Sequence, residues 1–359
     1  MADKDQIKTT RKEVLRISGI VALVVGMMFL VLLGLSWSEA EAKAKYNFKY
    51  PSWESPGSWH NDNFYLWWPR RVEELSKGEV KFDYFPGQIL IKGANHYEAV
   101  KDNTVTFAPS ATAYEKDTLP LATVDELPFI YRGWETYFKM HDEMLAAGLQ
   151  EYYNKRGVYY IAGSLVEPYG VWTTKKWGPI RKLEDLKGCK IRTPGGLLND
   201  TLVAMGANPV AIAVVDMYMS LQTGIIDGVS LAEASQISNR SHEVVQYASR
   251  VNYGCPGIHI LANLEAWNQL PQHIRDIMVQ AGRELLVHYS EATTAYWKES
   301  TPVILKKAGI ELIEIAPQER KKMIEATKSV RKNWEAKYGD EDGGLGKKLL
   351  KIVDKYTAE

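Results

Sequence analysis

The chain has 359 residues, 45% of them apolar and 25% charged, which is ordinary globular composition and excludes a disordered, collagenous or wholly coiled-coil protein. Lys+Arg and Asp+Glu both number 44, so the basic surplus that neutralises nucleic-acid phosphates is missing and nucleic-acid binding is not expected. Cys189 and Cys255 are the two cysteines. Their spacing matches no zinc or redox motif and excludes a disulfide framework, leaving either two buried thiols or one long-range bridge. Eleven Trp and 20 Tyr suit an aromatic core, or a cleft that grips an organic ligand.

The N-terminus reads as an address. Lys4, Lys8, Arg11, Lys12 and Arg16 precede an uncharged run from Ile17 to Leu35, and small residues follow at Ala40, Ala42 and Ala44. A basic flank, an apolar run and Ala-x-Ala steps predict an export signal over 1–44, cleaved after Ala44. An uncleaved anchor over 17–35 is the alternative, because the run is nearly long enough to cross a bilayer. The remaining chain, from Lys45, is expected to be soluble and periplasmic.

Next in the chain, alternation predicts a strand over Lys45–Tyr50, a helix over His60–Ser76 and a second strand over Glu79–Phe85. A helix over Ala94–Lys101 and a strand over Val105–Ala108 complete a βαβαβ pattern, which argues an α/β fold with much parallel sheet. Strands are also expected at Val158–Ala162, Cys189–Arg192, Pro209–Ala213, Ile225–Leu231, Gly257–Ala262 and Ile310–Ile315. Helices are expected over Leu197–Met205 and Asp216–Gln222, from Leu264 to about Ser300 with a fresh turn at Pro271, and over Gln318–Lys337 and Gly346–Tyr356.

Catalytic motifs are missing: the sequence contains no GxSxG, HExxH, GxxxxGK[ST] or GxGxxG. The seven histidines are scattered without ligand spacing and read as surface or satisfied core residues, so no metal site and no cofactor is expected. The most informative residue is Arg192. It ends a strand and enters Thr193-Pro194-Gly195-Gly196, and ligands of α/β sheets lie beyond the carboxyl ends of strands. A guanidinium there offers a planar fork to a carboxylate, sulfonate or phosphonate, or else serves a structural ion pair.

Six segments in order, EELSKGEVKFDYFPGQI (Glu73–Ile89), EAVKDNTVTFAPS (Glu98–Ser110), VDELPFIY (Val124–Tyr131), LEDLKGCKIRTP (Leu183–Pro194), MYMSLQTGIIDGV (Met217–Val229) and LANLEAWNQLP (Leu261–Pro271), give the chain its character. With them it resembles the solute-binding protein of a tripartite ATP-independent periplasmic (TRAP) transporter. The resemblance implies an α/β, two-lobed periplasmic binding protein fold with crossing strands and a long lobe-spanning helix. Lobe I would be 45–167 with 257–296, and lobe II 168–256 with 297–359. It implies a monomer whose cleft closes on a small organic anion and passes it to TRAP membrane subunits, without catalysis. It also maps the carboxylate-holding arginine onto Arg192.

The further expected cleft residues are Trp53, Glu54, Ser110, Tyr169, Trp172, Val214 and Ser230. Val171-Trp172 stand before Thr173-Thr174 where sialic-acid-binding members carry an arginine, and Val229-Ser230-Leu231 stand where they carry Glu-Asn. Both departures imply a less polar pocket, suited to a compact carboxylate or sulfonate against an apolar or aromatic wall. A membrane-anchored sensing ectodomain and an exported α/β enzyme are the competing readings.

Overall fold

In the computed structural model, which describes residues 44–358, the alternation of Tyr46, Phe48 and Tyr50 produces strand β1 (Tyr46–Pro51). It pairs in parallel with β2 (Val80–Phe85), register Phe48↔Phe82 and Tyr50↔Tyr84. Aromatic cross-strand contacts hold the pair together: the Phe48 and Phe82 rings lie 5.9 Å apart, and Phe48 meets Phe107 edge-on at 4.8 Å. The expected export segment lies outside the described residues, Ala44 excepted. Among the described residues no helix is long and apolar enough to cross a membrane.

The remaining strands are β3 (Phe107–Ala111), β4 (Val158–Leu165), β5 (Gly170–Thr173), β6 (Lys190–Thr193), β7 (Asn208–Ala211), β8 (Gly228–Leu231), β9 (Tyr247–Arg250), β10 (Gly257–Asn263) and β11 (Glu311–Glu314). Two further sheets result, one ordered β3-β10-β4 and one ordered β11-β9-β5-β8-β6-β7. The sequence predicts much parallel sheet, and four of the eight strand pairings among the described residues are parallel, while the other four are antiparallel. β10 runs antiparallel to β3 and β4, and β5 antiparallel to β8 and β9. The cause is that the chain passes between the two sheets twice, over 166–169 and 251–256. The passes lie side by side, tied by Val166 N–H to Pro256 O at 3.1 Å and Tyr169 N–H to Gly254 O at 2.9 Å. The strands that leave and return this way, β4 with β10 and β5 with β9, are antiparallel neighbours. β5 and β9 had no counterpart in the sequence reading. Both are four residues long.

Pro271 precedes the helix Gln272–Ala295, whose buried stripe is Ile274, Met278, Ala281, Gly282, Leu285, Tyr289 and Thr293. It lies against β4 so closely that a Cβ on Gly282 would stand 2.4 Å from the Ala162 Cβ. Trp68 fixes its other side by donating Nε1–H to Met278 O at 3.2 Å. Near the C-terminus, Pro317–Tyr338 packs on the helix Gly196–Ala204, while Glu341–Thr357 packs on Trp134–Met144. Trp334, Leu349 and Val353 therefore share one buried cluster with Tyr97, Met140 and Tyr153. Cys189 and Cys255 are buried free thiols.

Candidate ligand-binding cleft

β1, β3 and β6 all end at one cleft, which holds about 600 Å3 of space not occupied by protein, its mouth included. After β1, the Ser52 hydroxyl accepts the Glu54 N–H at 3.1 Å and Gly87 N–H reaches Glu54 O at 2.7 Å. This tight turn presents Trp53 and Glu54 to the cleft. After β3 a short turn, Thr112–Tyr114, brings in Ala113 and Tyr114.

Arg192 comes from β6, paired with Val210 of β7 and Val229 of β8. It is 1% exposed. Its Nε–H donates to Ile212 O at 2.7 Å, while Nη1 has no partner. Burial lowers its pKa from the ordinary arginine value, partly offset by Tyr114, Tyr169, Tyr253 and Glu54 nearby. The guanidinium stays charged all the same. Among the described residues no carboxylate forms an ion pair with it. A buried cation short of a partner is costly unless something supplies the missing charge.

The other polar pole is self-compensating. His60 Nε2 meets Glu167 Oε2 at 3.1 Å, and its Nδ1 meets the Ser235 hydroxyl at 3.0 Å. Glu167 also accepts the Ala234 N–H at 3.1 Å. Burial works against charge on both members, yet their mutual attraction prevails: His60 titrates above and Glu167 below its ordinary value. Glu54 accepts the Ser58 hydroxyl at 3.0 Å, and burial pushes its carboxyl above the usual range. Rings fill the rest of the wall: Trp53 lies edge-on to Tyr65 at 5.0 Å, and Phe64 edge-on to Tyr289 at 5.1 Å.

Of the residues singled out from sequence, Arg192, Trp53, Glu54, Tyr169 and Val214 line this cleft. Ser110, Trp172 and Ser230 do not. Ser110 gives its hydroxyl to Glu115 at 2.8 Å and Ser230 shares one with Tyr253 at 2.8 Å, while their neighbours Ala111 and Leu231 face the space. The reason is the two-residue period of a strand, which sends adjacent side chains to opposite faces. Trp172 is wholly buried in the core beneath β5. Sequence reasoning missed His60, Phe64, Tyr65, Tyr114, Glu167, Ser235 and Tyr289. Phe64 and Tyr65 sit in the aromatic-rich helical segment Asn61–Tyr65, which could have drawn notice. Tyr289 arrives from a helix more than 200 positions away and carried no local signal.

The family model "DctP: Bacterial extracellular solute-binding protein, family 7" matches residues 54–337. The chain belongs to this family. TRAP solute-binding proteins are its members, and the two-lobed α/β fold and solute-binding role expected from the six sequence segments follow from membership. Among relatives, the C4-dicarboxylate-binding periplasmic protein DctP of Rhodobacter capsulatus is 25% identical over 69% of this chain and 74% of its own. The monocarboxylate 2-oxoacid-binding periplasmic protein of Nostoc is 28% identical over 61% of this chain and 62% of its own. Among solved structures, the Bordetella pertussis receptor DctP7, which binds pyroglutamic acid, superimposes with a TM-score of 0.77 at 20% identity, covering 86% of this chain and 99% of its own. A TRAP periplasmic protein of Sulfurospirillum deleyianum with bound succinate gives 0.74 at 21% identity over 87% and 99%.

Proposed function

We propose that this protein captures a compact organic monocarboxylate or sulfonate in the Arg192 cleft and hands it unaltered to TRAP membrane subunits. The observation that carries the reading is Arg192, 1% exposed, with Nη1 unpartnered on the cleft wall. An anionic ligand supplies the missing partner in bidentate form. Of the other ionisable lining groups, His60 is matched by Glu167 and Glu54 is itself an acid. A second ligand carboxylate would therefore meet a like charge, whereas a hydroxyl or N–H would find an acceptor in Glu54. The aromatic wall suits a short apolar body rather than a polyhydroxylated one.

The protein acts in the periplasm as a monomer, with 1–44 as its export segment. The Arg192, Glu54 and His60–Glu167 groups suit holding charge, which supports release of the ligand unaltered. The three- and six-stranded sheets lie at the cores of two lobes, 45–167 with 257–296 and 168–256 with 297–359, joined by the paired passes over 166–169 and 251–256. The C-terminal helices touch both sides, and we read them as a strut across the hinge. Native mass spectrometry of the protein purified from cells, followed by calorimetry with pyroglutamate, short 2-oxoacids, alkylsulfonates and succinate, tests this. Micromolar or tighter binding of a monoanion, with succinate at least tenfold weaker, supports the proposal. Tighter binding of succinate, or recovery of a chemically altered ligand, overturns it.

A further inference from the structure

β10 has two different faces. Ile258 looks into the ligand cleft, while His259 and Leu261 look to the opposite side. There His259 meets Asp125, from the turn Pro120–Glu126, and His141, from the helix Trp134–Met144. The three residues are 16 to 134 positions apart and form no motif, yet all are buried, and one ligand atom from each lies within 4.8 Å of the others. Both imidazoles turn Nε2 toward the same carboxylate oxygen: Asp125 Oδ2 stands 3.1 Å from His259 Nε2 and 3.6 Å from His141 Nε2.

These separations match a metal's edges. Zinc–nitrogen and zinc–oxygen bonds of about 2.0–2.2 Å in a tetrahedron put neighbouring ligand atoms about 3.4 Å apart. The distal nitrogens are held as metal-bound histidines require. His259 Nδ1 lies 2.7 Å from the Tyr153 hydroxyl and His141 Nδ1 lies 3.4 Å from the Tyr160 hydroxyl. Two polar atoms of the cluster, Asp125 Oδ1 and His141 Nε2, are buried without a hydrogen-bond partner. A hydrogen-bonded network alone would leave both unsatisfied, which is the costly arrangement. A second cavity, lined by Leu127, Tyr131, Cys255 and Arg320, reaches Asp125 and offers a path for an ion.

We infer that Asp125, His141 and His259 supply three protein ligands of a zinc site on the back of β10, outside the ligand cleft, with a water as the fourth ligand. Nitrogen and carboxylate donors of this kind select a divalent transition ion over magnesium or calcium, which take oxygen ligands. Bound there, the ion ties the turn Pro120–Glu126 and the helix Trp134–Met144 to β10.

The test uses the full chain, without an affinity tag, purified from zinc-supplemented cells and passed through gel filtration. Metal analysis is expected to find about one zinc per chain. Denaturation with a chelator followed by refolding with ZnCl2 is expected to restore it and to raise the melting temperature over protein refolded without metal. Refolding with CoCl2 should give the visible absorption of four-coordinate cobalt. His259→Gln and His141→Ala lose the zinc, Tyr153→Phe weakens it about ten- to a hundredfold, and His273→Ala, at an exposed histidine, keeps it. Should a variant not fold, the wild-type protein decides alone. Less than about a tenth of an equivalent of zinc in folded wild type, no cobalt spectrum, or full retention in the folded His259→Gln variant overturns the site.

Discussion

Arg192 donates its Nε–H to the Ile212 carbonyl at 2.7 Å, and this bond leaves the far end of the guanidinium on the cleft wall with Nη1 unpartnered. The sheet thus anchors the side chain at one nitrogen and reserves the others. Binding and stability consequently make opposite demands on this residue.

Arg192→Ala should lose binding heavily. Removing one partner of a buried charge pair costs about 3–5 kcal/mol, or about two to four decades of affinity at ~1.4 kcal/mol per decade. Arg192→Lys should lose most of it as well, because an ammonium cannot copy the fork. Arg192→Met should abolish binding yet melt no lower than the ligand-free wild type, since it removes a buried cation that has no counter-charge. Calorimetry and thermal melting of the same samples check this. Binding within threefold of wild type in Arg192→Ala would refute the clamp.

Ser230 and Tyr169 should separate packing from recognition. Ser230→Ala strips the buried Tyr253 hydroxyl of its partner and should cost about 1–3 kcal/mol of stability, with affinity within threefold of wild type. Tyr169→Ala, on the cleft wall, should weaken binding at least tenfold. Denaturant titration and calorimetry read the two effects, and the reverse pattern would show that the strand faces are wrongly assigned.

Glu126 sets a pH dependence. It accepts the Thr112 hydroxyl at 2.6 Å and the Leu197 N–H at 2.9 Å, and burial still pushes its carboxyl up to about 7. The folded protein therefore binds this proton more tightly than the unfolded chain, so stability from this group is full below about pH 4.5 and falls as pH rises to about 7. His96 titrates low, which raises stability over part of the same range. The informative quantity is thus the difference between wild type and Glu126→Gln. Wild type should lose about 3 kcal/mol relative to the variant between pH 4.5 and 7.5. Denaturant midpoints of the zinc-free protein at four pH values measure it, and a flat difference would contradict the shifted carboxyl.

Cys189 and Cys255 should be inert in the native protein. Both are buried, and burial raises both thiols above their ordinary value, which suppresses the reactive thiolate. A chromogenic disulfide reagent should find no thiols in the folded protein and two in denaturant. Two titratable groups under native conditions would place at least one thiol at an open surface.

The sequence by itself determined the elements that repeat a pattern or obey chain-local chemistry. β1, β2 and the helix Gln272–Ala295 were legible because aromatic alternation and a 3.6-residue apolar stripe are written in consecutive residues. Arg192 was legible as a candidate because it ends a strand that runs into Pro-Gly-Gly, and the family resemblance singled it out from the alternative of a structural ion pair. The six family segments supplied the fold that these elements build. Only the tertiary structure decided which side chains of a short strand face the space: Ser110 and Ser230 turn away where Ala111 and Leu231 do not, because one residue of register reverses the face. It alone brought Tyr289 to the cleft, and Asp125, His141 and His259 to one another. Those meetings depend on how the paired passes over 166–169 and 251–256 and the close seat of Gly282 on Ala162 bring distant segments together. Long-range packing of that kind leaves no periodic trace in the residues that it joins.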